Sequence, residues 1–156
     1  MAARFTDMAV DALADYVEAN YATYLDAVET ELSLTAGTLP DPTAYYRADL
    51  PLDNHNPRVD VFEESWSFVD DGDDLMVEVV CSVLWSYLGD ADRAAGELMA
   101  RRCLTAMIKC LWASRTLSGT VKAIYLGSGS AASVDESNGT RHGFLQTVTV
   151  ALHEVM

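Results

Sequence analysis

The chain has 156 residues, 24 acidic against 10 basic, for a net charge of −14, and half of it is hydrophobic. That length fits one domain able to build a core without staples, and so acidic a surface argues against sequence-independent binding of duplex DNA or anionic lipid. No stretch reaches the ~20 apolar residues of a membrane span, and Asp7 and Asp11 stand where a signal peptide needs its apolar run, so the expectation is a chain made in cytosol with no membrane partner.

The basic side holds only Lys109 and Lys122 beside eight arginines, a balance found in salt-adapted organisms and in ordinary acidic proteins alike. Cys81, Cys103 and Cys110 all sit in apolar stretches, with no CxxC pair and no neighbouring histidine. They read as reduced core thiols rather than metal ligands.

From Phe5 to about Leu32 the period is helical. Phe5, Met8, Ala9, Ala12, Leu13, Tyr16, Val17, Tyr24, Leu25, Val28 and Leu32 form the apolar stripe, and Asp7, Asp11, Asp15 and Glu18 the opposite side. Those carboxylates repel at helical spacing with no lysine to pair, so packing of the stripe must outweigh them. Residues 33–57 read as a long connection punctuated by Gly37 and four prolines. Tyr45-Tyr46-Arg47 in its middle is either an interface patch or a loop pinned to its own core.

Two long strands follow. Arg58–Val69 places Val59 and Val61 on one face, with Phe62, Trp66 and Phe68 on the other. Leu75–Leu88 is apolar on both faces, as befits an interior strand or one covered by another subunit. Asp70-Asp71-Gly72-Asp73-Asp74 supplies the turn between them, and its four carboxylates are either solvated or a weak Ca²⁺ or Mg²⁺ site. A second helix is expected from an N-cap at Asp90 to about Leu117, closed by Gly119. Leu98, Cys103, Met107, Cys110 and Leu111 lie on its buried side, a Glu97–Arg101 pair supports it, and Trp112 is on its outer face. Strands at Thr120–Leu126 and Phe144–Glu154 end the chain, the second alternating Gln146, Val148, Val150 and Leu152 against Thr147, Thr149, Ala151 and His153. Residues 127–140, small and polar, read as a flexible loop that orders against a neighbour. The predicted fold is a single α+β domain over 1–156, ordered α-β-β-α-β-β, with a four-stranded, mostly antiparallel sheet and both helices on one face.

No catalytic chemistry emerges from the spacing. His55, His142 and His153 are scattered, no serine or cysteine has a nucleophile context, and Gly127-Ser128-Gly129-Ser130 lacks the Lys-Ser/Thr of a phosphate loop. The expectation is a non-enzyme without cofactor or metal. What stands out is apolar excess: Trp66, Phe68, Trp85 and Trp112, with Tyr45, Tyr46 and Arg47, are the candidate interface residues.

In this layout the chain resembles the tail-terminator (tail-completion) family of tailed viruses. The opening amphipathic helix, the Pro-initiated strand Asn56-Pro57-Arg58-Val59-Asp60-Val61, the long hairpin, the second helix ending near Leu117-Ser118-Gly119 and the final strand carry the likeness across nearly the whole chain. The resemblance implies a virion subunit forming a ring, generally a hexamer, that caps the tail tube protein and meets the head–tail connector, with DNA passing its lumen unbound. It carries no catalytic residues. A head-completion or neck protein of such viruses shares the layout, and a small cellular ligand-binding α+β domain is the further alternative.

Overall fold

A computed structural model describes residues 2–48, 51, 55–71, 74–89 and 92–153. Helix α1 (Ala2–Glu31) is followed by strands β1 (Ala44–Tyr46), β2 (Arg58–Asp71) and β3 (Asp74–Gly89), helix α2 (Arg93–Trp112), and strands β4 (Ala123–Glu136) and β5 (Gly139–His153). The strands form one sheet in the order β1-β2-β3-β5-β4. The α+β class stands, but the sheet has five strands and is mixed, because β1 runs parallel to β2. The cause is local. The Thr43 hydroxyl accepts from Asn56 N–H (3.0 Å) while its N–H bonds Pro57 O (2.8 Å), which clips residues 43–46 alongside Arg58–Asp60. The Asn56 amide bonds both backbone groups of Leu88 (2.7 and 2.8 Å), extending the β2–β3 ladder by a side chain.

Strand β3 is central, which accounts for apolar residues on both its faces. The alternation predicted for the last strand holds and reaches further back: Thr140, His142, Phe144, Gln146, Val148, Val150 and Leu152 are all buried. They share a face with Val77, Val79, Cys81, Val83 and Trp85 of β3. Both helices lie on this face, α1 chiefly over β2 and β3, α2 over β4 and β5. Tyrosine hydroxyls tie the helices together, Tyr16 donating to Cys110 O (2.7 Å) and Tyr21 to Cys103 O (2.8 Å). Each such bond contributes about 1 kcal/mol. Burial pushes the Tyr16 hydroxyl up to about 12 and that of Tyr21 well above its usual range.

Several boundaries move. Residues 127–136 are no loop: they are the second half of β4, joined to β5 through a two-residue turn at Ser137-Asn138. Their small side chains do not favour a strand. They are ordered by what lies opposite: the Gln146 amide donates to the carbonyls of Gly127 and Thr147 (2.9 Å each), and Ser133 Oγ meets His142 Nδ1 at 2.7 Å. A Cβ at Gly129 would stand 2.4 Å from Gln146 Oε1, so the smallness of this segment makes room for the clamp. Helix α2 stops at Trp112, earlier than expected; beyond it Leu117, Ser118 and Gly119 all take positive φ, and Ile124 N–H bonds Arg115 O (2.7 Å) to fold the turn back onto β4. Its N-cap is Asp92, whose side chain accepts from Ala95 N–H. The cap expected at Asp90 and the glycine turn expected at Gly72 lie outside the described residues. Leu98, assigned to the buried side, is exposed, and Glu97 pairs with Arg93 (3.5 Å) while Arg101 turns to the Glu97 carbonyl. Met8 and Leu32 likewise fall at the solvent margin of the α1 stripe.

Candidate assembly surfaces

The seven candidate interface residues separate into three groups. Trp85 is wholly buried, stacked between Phe144 (centroids 5.6 Å apart) and Tyr87 (6.1 Å). It belongs to the core of a single copy and is withdrawn as a contact residue, since a side chain with no exposed area has nothing to offer a neighbour. Its Nε1 has no hydrogen-bond partner among the described residues.

Tyr45, Tyr46 and Arg47 anchor the connection to its own domain. Tyr45 pairs with Val59 on the helix face of the sheet, where burial raises its hydroxyl well above the usual range, with Asp41 and Glu18 adding to the shift. Tyr46 falls on the other face, and the Arg58 guanidinium lies 4.9 Å from its ring. Arg47 pairs with Asp11 (3.2 Å), Asp15 and, at 4.0 Å, Glu18. α1 has no lysine of its own for these carboxylates, and their counter-charge is supplied from the end of β1. It remains one guanidinium among three carboxylates.

Trp66, Phe68 and Trp112 are exposed. Trp66 and Phe68 form an edge-to-face pair (centroids 5.3 Å, 84°), 39% and 51% exposed. A bulge between Glu63 and Ser65 shifts the parity of β2. Trp66 and Phe68 consequently share the helix face with Val59 and Val61, opposite Val79 and Val77, and part company with Phe62. They are a solvent-open extension of the core face. Trp112 is 62% exposed, with the Arg115 guanidinium 4.5 Å over its ring. Ile108 stands exposed one turn before it.

Two surfaces went unread in the sequence. The sheet face away from the helices carries a groove of about 370 Å³ walled by Leu84, Ala132, Val134 and Leu145, with Asp60, Ser86 and Arg141 at its polar end. Beside it lies a buried ion pair, Arg58 with Asp60 (Nη2 2.6 Å, Nε 3.1 Å), which a loop-bounded edge strand gave no reason to expect. The strand edges are the second surface. Among the described residues, β1 covers β2 only at Arg58–Asp60, and the one strand paired with β4 is β5. A covering strand leaves no mark on the residues it covers, so only the assembled sheet shows where one is missing.

Among the described residues no three His, Cys, Asp or Glu side chains come together in a set that could hold a metal, and no helix is long and apolar enough to cross a membrane. Gly72 and Asp73 of the acidic turn lie outside the described residues. His142 is buried under α2: a Cβ on Gly96 would stand 1.9 Å from its Nε2, so the helix approaches the ring only because position 96 is glycine. Burial pushes the thiols of Cys81, Cys103 and Cys110 up to about 12, which leaves them protonated and unreactive at neutral pH.

No family model and no curated protein matches this chain. Among solved structures, it is similar to a chain of the structure titled "Virion of native gene transfer agent (GTA) particle", with 11% sequence identity and a TM-score of 0.47, over 83% of this chain and 94% of that one.

Proposed function

We propose that this chain is a virion structural protein that acts by assembling with copies of itself: a ring-forming subunit of the tail-terminator kind, seated between a tail tube protein and a head–tail connector. The observation that carries the reading is that, among the described residues, no strand covers β2 beyond Asp60 or the outer side of β4, while the aromatic pair Trp66–Phe68 continues the core face into solvent. Open edges of this length are sites of strand addition from another chain, and a heterologous contact repeated by rotation closes into a ring. The order of the long elements, α1-β2-β3-α2-β4-β5, supports the same reading through the family it resembles. On this reading the chain is no enzyme, and the net charge of −14 keeps DNA from adhering to a lumen.

Negative-stain imaging of the purified protein, alone and mixed with tail tubes, tests the proposal. Rings of uniform diameter, free or on tube ends, are expected; a monodisperse monomer that leaves tube length unchanged would sink it. A neck protein would form the ring without stopping tube growth. The groove beside Asp60 favours a second reading, a small-molecule site, since its volume lies in the range of such pockets. A thermal-shift screen against metabolites separates the two, because an occupied groove raises Tm without changing mass.

A further inference from the structure

We infer that copies of this chain join head to tail, the β4/α2 flank of one lying against the β2/α1 flank of the next, so that the sheet runs on across the junction. The inference rests on the ring reading and specifies the contact that would build it.

Three observations converge on that contact. The first is where the edges are open. Among the described residues, β2 from Val61 to Asp71 has a strand on one side only, and β4 has none on its outer side. There Arg115 closes Ile124 (N–H to Arg115 O at 2.7 Å, guanidinium to Ile124 O at 2.9 and 3.1 Å) and Arg93 holds Ser133 O, leaving Tyr125–Ala132 as the open stretch. Between Ala123 and Asp135, β4 carries no lysine, arginine, proline or acid. Proteins blunt an exposed edge with such residues, and the stretch of β4 between the Arg115 and Arg93 contacts, which lacks them, is a template for another strand.

The second is strand sense. β2 is antiparallel to β3, β3 to β5, and β5 to β4, so β4 runs opposite to β2. Rotation about a ring axis along the strands preserves their sense in every copy. The β4 of one copy therefore meets the β2 of the next antiparallel, as in every long pairing within the sheet.

The third is charge. α1 has seven acidic residues against Arg4, and it lies on the β2 side, where Arg47 reaches Asp11, Asp15 and Glu18. α2 has four basic residues against Glu97 and lies on the β4 side; Lys109 pairs with Glu31 of α1 and Arg93 with Glu97 and Asp135 in the same copy, so Arg101 carries the outward charge. Exposed on α2 are Arg101, Ile108 and Trp112, and Arg101 makes no ion pair among the described residues. Head-to-tail contact sets this basic flank against the acidic one. A two-fold pairing of β4 with β4 would instead set α2 against α2, like charge facing like, and would leave the β2 edge open. A foreign strand on β4 would leave that edge open as well. A second copy closes both.

Mixed crosslinking tests it. Ser130→Cys on β4 and Ser67→Cys on β2 are made in separate preparations, both positions being exposed on the same sheet face. The native thiols are buried and do not compete. A bifunctional maleimide spanning about two strand spacings, ~10 Å, tolerates the unknown stagger. The expected result is a crosslink in the mixture and none in either preparation alone. Arg101→Glu is expected to weaken self-association about tenfold at low salt, with the difference shrinking as salt is added. A Ser130→Cys preparation that crosslinks to itself overturns the head-to-tail contact in favour of a two-fold one. Rings that form without the mixed crosslink, and with Arg101→Glu unchanged, overturn the contact but leave the ring reading intact. A wild-type chain that stays monomeric to about 1 mM at low salt, with tubes or without, overturns both.

Discussion

Replacing Asp60 with alanine probes the part of the fold on which the open face of the sheet depends. The Arg58 side chain is 1% exposed and that of Asp60 3%. Nη2 and Nε of the guanidinium bond the two carboxylate oxygens at 2.6 and 3.1 Å, Nη1 donates to Pro51 O at 2.9 Å, and the Tyr46 ring lies alongside. Removing the carboxylate takes away the group that both Nη2 and Nε bond, and breaking a pair so buried costs about 3–5 kcal/mol. At about 2–4 °C per kcal/mol for a chain of this size, Tm falls by roughly 6–20 °C. The double replacement Arg58→Met with Asp60→Leu removes both charges together and is expected within about 2 kcal/mol of wild type, in either direction, since the desolvation cost of the pair disappears with it. Urea unfolding followed by tryptophan fluorescence gives both numbers. A loss below about 1 kcal/mol for Asp60→Ala, or a double variant as damaged as the single one, would show that the pair is solvated and the reasoning wrong.

Three further outcomes are expected. Gly96→Ala drives a methyl into the His142 ring and should cost about 1–3 kcal/mol, read as a lower urea midpoint; an unchanged midpoint means that α2 does not sit where described. Burial pushes the three thiols from an ordinary 9.0 up to about 12, so above pH 9 the native state holds more protons than the unfolded chain and stability declines toward pH 12. The urea midpoint should therefore be lower at about pH 10.5 than at about pH 8, and a flat profile would contradict burial of these groups. Trp66→Ser with Phe68→Ser should reduce self-association at least about tenfold while leaving Tm within a few degrees, because both side chains are substantially exposed in one copy. A large fall in Tm would mean that they serve the core instead.

The apolar stripe of α1, the two-sided character of β3 and the alternation of β5 were readable because side-chain period is a local property. Trp112 was correctly placed on a solvent face for the same reason. Trp66 and Phe68 were assigned to the wrong face, since a single inserted residue at Glu64 reverses all later parity without a sequence signature. Trp85 was misjudged because an interior strand and an interface strand have the same composition, and only its neighbours Phe144 and Tyr87 decide between them. Residues 127–136 were misjudged because their order is imposed by β5: Gln146 holds the bulge and His142 meets Ser133. Arg47 was legible as a cation near aromatics but not as the partner of an acidic helix more than 25 residues earlier.

The amino-acid sequence alone settled the α+β class of the fold, the existence of its two long helices, and that β3 is apolar on both faces, whether covered by its own sheet or by another subunit. These follow from periodicity and residue type, which neighbouring residues determine among themselves. The tertiary structure alone decided that β1 joins the sheet in parallel, that β4 runs on to Glu136, that Arg58 and Asp60 are buried as a pair, and that an acidic flank and a basic flank face opposite ways. Each of those depends on backbone hydrogen bonds or charges meeting across long stretches of chain, and such meetings exist only once the sheet has chosen its order.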